Sequence, residues 1–261
     1  MSNLLQDRVA VVSGVGPGIG REIALACARE GASVALGART AATLEEVAAA
    51  VGEAGGKAVW AATDVTSPEQ CAALSRAALE AFGRIDVLVS NAFVHTRFGS
   101  VESTGAGAWR EAFEVNVLGS LNMTKAVVPS MREQGSGSIV FINSMSARRA
   151  GEGSGAYSAT KSALLTAART LARELGPDRI RVNSVVPGYV WGPSLRWYFE
   201  HLAKRSGRSA EEVYEEVAAE TALRRIPTSE EVAKAVVFLA SDLASGITGQ
   251  SLDVNAGHWF H

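Results

Sequence analysis

The sequence has few cysteines and no long apolar run. Only Cys27 and Cys71 occur in 261 residues, far apart in segments with helical patterning. Two such cysteines argue against a disulfide framework and favour buried thiols in a reducing compartment. No apolar segment reaches the roughly 20 residues that span a bilayer, and residues 1–7 lack the basic and apolar parts of a signal peptide. We therefore expect a soluble, cytoplasmic protein.

An excess of charge of one sign is also absent. The formal net charge is -2, from 25 Lys and Arg against 27 Asp and Glu, with no long run of either sign. This balance argues against a nucleic-acid or membrane partner. The four histidines show no metal-ligand spacing, so we predict no metal site. With 47% hydrophobic residues, the chain can form a large core that needs neither a disulfide nor a metal ion.

Short apolar segments alternate with longer helical patterns along the chain. The apolar segments lack regular polar alternation, which is typical of parallel strands covered by helices on both faces. The repetition predicts an α/β fold, a doubly wound, Rossmann-like parallel sheet of seven strands, in one domain over residues 1–261. The predicted strands are Val9–Ser13, Ser33–Gly37, Lys57–Ala62, Ile85–Ser90, Ser138–Ile142, Ile180–Val186 and Ser251–Val254. The predicted helices are Gly18–Glu30, Ala42–Ala54, Pro68–Phe82, Trp109–Arg132, Ala156–Leu175 and Glu230–Ala240.

The region after the sixth strand interrupts this rhythm. Helical patterning runs through Ser194–Lys204 and Glu211–Leu223, with no convincing strand. Such an insertion either packs as an ordinary helical cap or covers a site as a lid. Because the preceding strand should end at the ligand crevice, we favour a helical lid over about residues 190–226.

A glycine-rich turn follows the first strand and opens a helix. It reads Ser13-Gly14-Val15-Gly16-Pro17-Gly18-Ile19-Gly20. Glycines let the backbone approach a pyrophosphate, and the helix N-terminus supplies amide donors. The alternative is a tight strand–helix turn without a ligand, because such a turn alone is weak evidence.

Polar side chains at the ends of neighbouring strands support a dinucleotide site. The pairs Asp64-Val65 and Asn91-Ala92 follow the third and fourth strands, where Asp64 can accept a hydrogen bond from an adenine amino group. Arg39 and Thr40 follow the second strand, where a carboxylate would bind a ribose 2′-hydroxyl. Because a guanidinium suits a 2′-phosphate instead, we favour NADP as the cofactor, with NAD as the alternative.

A candidate catalytic group lies in the second half of the chain. Tyr157 and Lys161 are four residues apart on a predicted helix and share a face. A nearby ammonium lowers the pKa of a phenol, which is otherwise near 10. Ser144 ends the fifth strand and can hold a substrate oxygen, and Asn116 lies inside a long helix. The alternatives are an amphipathic helix surface and a solvent-facing asparagine.

Together these motifs resemble the short-chain dehydrogenases/reductases along essentially the whole chain. The turn Ser13–Gly20 is similar to the family's glycine motif, and its Asn-Ser-Tyr-Lys tetrad falls on the four residues just discussed. The resemblance implies that Tyr157 exchanges a proton with the substrate oxygen during hydride transfer, and that Lys161 binds the nicotinamide ribose and lowers the Tyr157 pKa. It also implies that Asn116 holds a water linking Lys161 to solvent. Cofactor contacts are implied for Pro187, Gly188 and Val190, and a homotetramer for the assembly.

The chain departs from the family pattern beside the cofactor. Phe93 replaces a glycine after Asn91-Ala92, and Gly192 stands where a threonine is common. The predicted substrate wall, besides Ser144, consists of Phe93, Met145, Tyr189, Trp191 and Trp197. It predicts an apolar ketone or alcohol.

Two other functions remain open. One is reduction of a 3-oxoacyl thioester on acyl carrier protein or coenzyme A, although the segment Gln134-Gly135-Ser136 offers no basic docking patch. The other is a non-catalytic nucleotide sensor on the same fold. A complete tetrad argues against the sensor.

Overall fold

A parallel sheet of seven strands forms the centre of the molecule. The computed structural model describes residues 3–95, 98–149 and 151–260. The strands lie in the order β3-β2-β1-β4-β5-β6-β7, and every neighbouring pair is parallel. They are β1 Val9–Ser13, β2 Ser33–Ala38, β3 Lys57–Ala62, β4 Val87–Ser90, β5 Gly137–Ile142, β6 Ile180–Pro187 and β7 Ser251–Val254. This confirms the predicted doubly wound fold.

Helices cover both faces of the sheet. They are α1 Ile19–Arg29, α2 Ala41–Glu53, α3 Pro68–Phe82, α4 Ala106–Phe113, α5 Ser120–Gln134, α6 Gly155–Leu175, α7 Pro193–Ser206, α8 Ala210–Ala219 and α9 Ser229–Ala240. Val11 and Val12 of β1 are both fully buried, yet they belong to different hydrophobic clusters, one on each face. Burial on both faces explains why the strand sequences lack polar alternation.

The chain reverses its direction of strand addition between β1 and β4. Successive strands run outwards from β1 to β3, and the chain then returns to place β4 on the other side of β1. Ser13 and Ser90 are paired in register at the carboxyl ends of these strands. Ligands of open parallel sheets bind in the crevice outside such a switch point. The loops after β1 and β4 therefore meet where a cofactor site is expected.

The predicted single helix Trp109–Arg132 differs from the structure. A π-helical segment, Glu114–Gly119, separates α4 from α5, and Asn116 lies within it and is fully buried. A π-turn inserts an extra residue into the helix and rotates the side chains that follow. Periodicity along the sequence does not reveal this local change, although the buried Asn116 depends on it.

The region after β6 folds into two helices with a small core of their own. Phe199 and Ala203 of α7 are buried against Val213 of α8 and against Ile226. The parallel bridge Trp191↔Thr228 ties the start of this region to its end. The two predicted helical segments are thus confirmed as helices, although α8 ends at Ala219, four residues before the predicted end.

Within the described ranges, none of the helices has the length and hydropathy of a membrane span. No group of three or more His, Cys, Asp or Glu side chains could hold a metal ion within residues 3–95, 98–149 and 151–260; His261 lies outside these ranges. Cys27 and Cys71 are both buried and free, which confirms the expected thiols.

Candidate active site

A groove of about 630 Å³ runs along the carboxyl edge of the sheet. Its volume is in the range of small-molecule and cofactor sites. Most of the predicted cofactor residues line it, namely Gly14, Gly16, Pro17, Gly18, Ile19, Gly20, Arg39, Thr40, Asp64, Val65, Asn91, Ala92 and Val190. Residues predicted from five separate loops therefore come together around one groove.

The glycine turn packs tightly against the loop after β4. Gly14 has a φ of +83°, and a Cβ there would lie 2.3 Å from the backbone nitrogen of Ala92. The Asn91 side-chain amide donates to the Gly14 carbonyl at 2.7 Å. A side chain at Gly14 would push these loops apart, so this glycine is required by the close approach.

Two other glycines of the turn face open space. A Cβ on Gly16 would meet nothing within 4 Å, and one on Gly18 would meet only the Ser229 hydroxyl at 3.7 Å. Because both residues line the groove, side chains there would fill the groove itself. Gly18 is also the N-cap of α1 and offers no side-chain acceptor to its first turn. The first-turn amides are thus suited to an anionic group.

The far end of the groove carries one exposed cation beside a carboxylate. Arg39 and Thr40 follow β2, and Asp64 follows β3. The pKa of Asp64 is lowered mainly by hydrogen bonds from the backbone and side chain of Thr66, and further by the Arg39 guanidinium. The described loop after β2 presents no carboxylate to the groove, as the sequence predicted.

Some predicted cofactor residues lie beneath or beside the groove. Ser13 is fully buried, and its hydroxyl has no hydrogen-bond partner among the described residues. Pro187 ends β6, and the Gly188 amide donates to the Val254 carbonyl at 3.3 Å. These three residues are not among the groove-lining residues of the described chain. Their positions support the loops that form it.

Tyr157 and Ser144 meet beyond the inner end of the groove. Tyr157 lies in the first turn of α6, and Ser144 follows β5. The Ser144 hydroxyl lies close enough to the Tyr157 phenol to lower its pKa, and it accepts a hydrogen bond from the Ser146 amide at 3.1 Å. Because the amide occupies an acceptor position of Ser144, the Ser144 proton is free to point towards the phenol oxygen or a substrate oxygen.

Lys161 lies one helical turn after Tyr157 and is almost completely buried. Its Nζ donates to the Ile142 carbonyl at 2.8 Å and lies 5.7 Å from the centre of the Tyr157 ring. No carboxylate among the described residues forms a salt bridge with it. Burial lowers the pKa of Lys161 to about 7.

The protonation of Tyr157 differs from the expectation for a phenol beside an ammonium. Desolvation raises the pKa of Tyr157 to about 12, and the Ser144 hydrogen bond offsets this only in part. Lys161 is not among the causes of this shift, so its lowering of the Tyr157 pKa stays a prediction. The same burial disfavours the charge on Lys161, which weakens its electrostatic effect on the phenol.

Asn116 joins the loop after β4 to α6. Its side-chain amide donates to the Val94 carbonyl and to the Thr160 hydroxyl, both at 3.0 Å, and its Oδ1 accepts from the Val94 amide at 2.8 Å. Both amide protons of Asn116 are thus used within the protein. A water could be held only by the remaining acceptor capacity of Asn116. Sequence reasoning missed Thr160, although it lies between Tyr157 and Lys161.

The predicted substrate residues divide into two groups. Phe93 is 54% exposed, its ring is 6.3 Å from that of Tyr157, and Lys161 Nζ lies 5.7 Å from its centre. Met145 follows Ser144 directly, and a Cβ on Gly188 would lie 3.8 Å from its sulfur. Tyr189 is partly exposed beside the same loop and stacks on His258. Phe93 and Met145 thus lie near the Tyr157–Ser144 pair, and Tyr189 follows Gly188, which is close to the Met145 sulfur.

The two tryptophans of the predicted substrate wall lie elsewhere. Trp191 packs against Tyr214 at 4.7 Å between ring centres and against Phe199, in the core of the α7–α8 region. Trp197 is 66% exposed and stacks on His201. Trp191 thus packs in the α7–α8 core and Trp197 lies on the exposed side of α7, and their contact with a substrate stays a prediction.

Comparisons with known proteins agree with this geometry. A family model described as Enoyl-(Acyl carrier protein) reductase matches residues 14–258. Short-chain reductase protein NovJ of Streptomyces niveus is 37% identical over 252 residues, which are 97% of this chain and 94% of that protein.

Two solved structures share the whole fold. L-sorbose reductase from Gluconobacter frateurii, complexed with NADPH and L-sorbose, has a TM-score of 0.93 and 31% identity, covering 99% of this chain and 98% of that one. A 7α-hydroxysteroid dehydrogenase, complexed with NADH and 7-oxo glycochenodeoxycholic acid, has a TM-score of 0.88 and 31% identity, covering 98% and 96%.

Proposed function

The chain belongs to the short-chain dehydrogenase/reductase family, and from this premise we propose that it interconverts a carbonyl and a secondary alcohol with a nicotinamide cofactor. The observation that carries this proposal is the Tyr157 phenol beside the Ser144 hydroxyl, with Lys161 buried one helical turn further on. This arrangement provides a proton donor, an oxygen-orienting hydroxyl and an amine of low pKa in one place. We assign this activity to a single domain that covers residues 1–261.

The groove fits a dinucleotide. The open faces of Gly16 and Gly18 and the uncapped first turn of α1 suit a pyrophosphate, and Asp64 suits an adenine amino group. Ser13, Pro187 and Gly188 would support these loops, with Val190 beside the nicotinamide. The two solved relatives carry NADPH and NADH respectively. We favour NADP for this chain, because Arg39 and Thr40 stand where an NAD-selective carboxylate would be.

The nicotinamide, when bound, supplies a hydride for reduction or accepts one in oxidation. In the reducing direction Tyr157 gives its proton to the carbonyl oxygen, and the product is the alcohol. In the oxidising direction the phenolate takes that proton back. A pKa raised to about 12 keeps Tyr157 protonated at neutral pH, which favours its role as the acid. Ser144 donates a hydrogen bond to the substrate oxygen in both directions.

Lys161 and Asn116 complete the proposed tetrad. A Lys161 pKa of about 7 allows this amine to release and regain a proton near neutral pH. It can therefore return a proton to the Tyr157 phenolate after each reduction. Asn116 holds the loop that carries Phe93 against α6, which makes it a positioning residue for both walls of the site. We assign its remaining acceptor capacity to a water on the path from Lys161 to solvent.

We propose an apolar ketone or alcohol as the substrate, with Phe93, Met145 and Tyr189 as its walls. The two solved relatives bind a bile-acid ketone and a sugar respectively, so the family allows both classes and the walls must decide. Here the side chains near Tyr157 are mostly aromatic or thioether, which favours apolar surface. Turnover of small polar sugars, with none of any aromatic or polycyclic carbonyl, would contradict this choice.

A turnover screen with NADPH and NADH, followed at the nicotinamide absorbance, tests the proposal. Tyr157→Phe should abolish turnover, because it removes the transferable proton, while cofactor binding measured by fluorescence persists. Tyr214→Phe removes a phenol from the α7–α8 core and serves as the matched control. Activity retained in Tyr157→Phe would overturn the proposed mechanism.

The second candidate is reduction of the 3-oxo group of an acyl thioester. The description of the matching family model names an enoyl substrate on acyl carrier protein, which favours a carrier-bound thioester as the substrate. Acetoacetyl thioesters of coenzyme A and of acyl carrier protein belong in the same screen. A higher kcat/KM for the carrier-bound form than for simple ketones would favour this alternative.

For location and assembly we propose a cytoplasmic homotetramer. Phe113 and Leu118, near the junction of α4 and α5, are large apolar side chains that remain partly exposed in one chain. A stable monomer at micromolar concentration in sedimentation would contradict the proposed assembly.

A further inference from the structure

A continuous stack of rings leads from Tyr157 to the α7 helix. His95 lies over Tyr157 with 4.5 Å between ring centres and 27° between planes. Phe98 follows His95 at 5.1 Å, and Tyr198 follows Phe98 at 5.7 Å and 21°. These rings come from α6, from the loop after β4 and from α7, so three separate elements meet at one aromatic surface beside the proposed proton donor.

The backbone holds this stack in place from both sides. The loop that carries His95 is fixed at Val94 by two hydrogen bonds with Asn116. Beyond Phe98, the Gly99 amide donates to the Gly153 carbonyl at 3.0 Å, next to the start of α6. These hydrogen bonds anchor the described residues next to His95 and Phe98, and anchored side chains lose less conformational entropy when a ligand binds.

The stack is also incompletely covered. Phe98 is 61% exposed, although both neighbouring rings pack against it. Burial of an exposed aromatic side chain by a ligand stabilises the complex. Exposed apolar surface beside a concave site is typical of ligand contacts. Phe93, whose ring centre lies 6.3 Å from that of Tyr157, is 54% exposed as well. Exposed aromatic side chains are thus connected to the phenol that would protonate a substrate, Phe93 directly and Phe98 through His95.

We propose that His95, Phe98 and Tyr198 select substrates in which a flat aromatic ring lies next to the reacting carbon, such as benzo-fused ketones and their alcohols. This inference rests on the proposed function and names its substrate class. The ring planes of the stack are tilted by 21° to 42°, a geometry that a further planar ring can continue. A puckered saturated ring of the same size can bury similar area but cannot stack.

The ketones 1-tetralone and 1-decalone form a matched pair for the test, because they differ chiefly in whether the second ring is aromatic. With NADPH, the wild type should show a KM for 1-tetralone about three- to tenfold below that for 1-decalone. Phe98→Leu keeps apolar bulk but removes the ring, and it should raise the 1-tetralone KM by a similar factor. The KM for 1-decalone should change less than about twofold.

Trp60→Leu is the control: it removes an exposed ring on the edge strand β3, outside the stack, and it should change neither KM. Because Phe98 is mostly exposed, its replacement should leave the fold intact, which a thermal melt verifies. Equal KM values for the two ketones in the wild type, or an equal effect of Phe98→Leu on both, would overturn the inference.

A binding measurement separates this inference from the proposed function. Titration of the NADP-loaded protein with each ketone by calorimetry needs no turnover. Tighter binding of 1-tetralone that is lost in Phe98→Leu would support the ring stack even if no ketone were reduced. Turnover of both ketones without any preference in binding would support the proposed function and overturn the ring stack, and absence of binding by both ketones would also overturn it.

Discussion

Replacing Lys161 with methionine is expected to stabilise the protein near neutral pH while removing its activity. Burial lowers the pKa of Lys161 from its ordinary 10.5 to about 7. The difference corresponds to at most about 5 kcal/mol of unfavourable free energy for the charged amine, at about 1.4 kcal/mol per pKa unit. Methionine has similar length and no charge, so it avoids this desolvation.

The stabilisation expected for Lys161→Met is reduced because the variant loses a hydrogen bond. Lys161 Nζ donates to the Ile142 carbonyl, and a buried carbonyl without its donor costs about 1–3 kcal/mol. The net stabilisation expected at pH 7 is therefore about 2–4 kcal/mol. This trade of stability for function is common at active sites.

The difference in stability between Lys161→Met and the wild type should also depend on pH. Between pH 7 and 10.5 the unfolded chain keeps a proton on Lys161 that the folded protein releases, so the stability of the wild type rises with pH in this window. The advantage of Lys161→Met should shrink by about 1.4 kcal/mol per pH unit and approach zero near pH 9. Below pH 7 this group adds no further pH dependence.

Urea unfolding at pH 7, 8 and 9, followed by tryptophan fluorescence, measures the effect. Lys204→Met, on the exposed side of α7, is the control and should show no comparable trend. The thiols of Cys27 and Cys71 and the Tyr157 phenol, whose pKa values burial raises, are present in both proteins, so their contributions cancel. A difference between Lys161→Met and the wild type that stays constant from pH 7 to 9 would refute the reasoning.

Two further predictions concern the groove. Arg39→Ala should raise the KM for NADPH about tenfold or more and leave the KM for NADH nearly unchanged, because only the 2′-phosphate needs the guanidinium. Steady-state kinetics with both cofactors measures this difference. An equal rise in the two KM values would argue against this role of Arg39. Gly14→Ala should destabilise the protein by several kcal/mol, because its Cβ would lie 2.3 Å from the Ala92 nitrogen. Gly55→Ala has a similar φ of +79° and open space, so it isolates the conformational cost of about 1 kcal/mol; similar urea midpoints for the two variants would contradict the steric argument.

The sequence anticipated most of the residues that surround the groove. Apolar strands and the turn around Gly14 depend on local patterns, and parallel strands bring their carboxyl ends to one edge. Loops distant in sequence, such as those at Arg39 and Asn91, could therefore be assigned to one site before any contact was known. Tyr157 and Lys161 are neighbours for the equally local reason that they are one helical turn apart.

The aromatic residues show the limit of that reasoning. Four aromatic residues between Trp191 and Phe199 indicated an aromatic wall, but composition does not say which rings face the site. Trp191 packs in the small α7–α8 core and Trp197 is exposed on α7, whereas Tyr198 meets Phe98 from a distant loop. Long-range packing of this kind is not encoded in the spacing of one segment.

Periodicity, backbone geometry and residue chemistry are local properties, so they were enough to predict the parallel sheet, the glycine turn and the candidate residues Tyr157, Ser144 and Lys161. Three features instead depend on the packing of distant segments: the burial that lowers the Lys161 pKa, the π-turn that brings Asn116 to Val94 and Thr160, and the ring stack over Tyr157. Protonation and recognition depend on which groups surround a side chain in space, and those neighbours come from all parts of the chain.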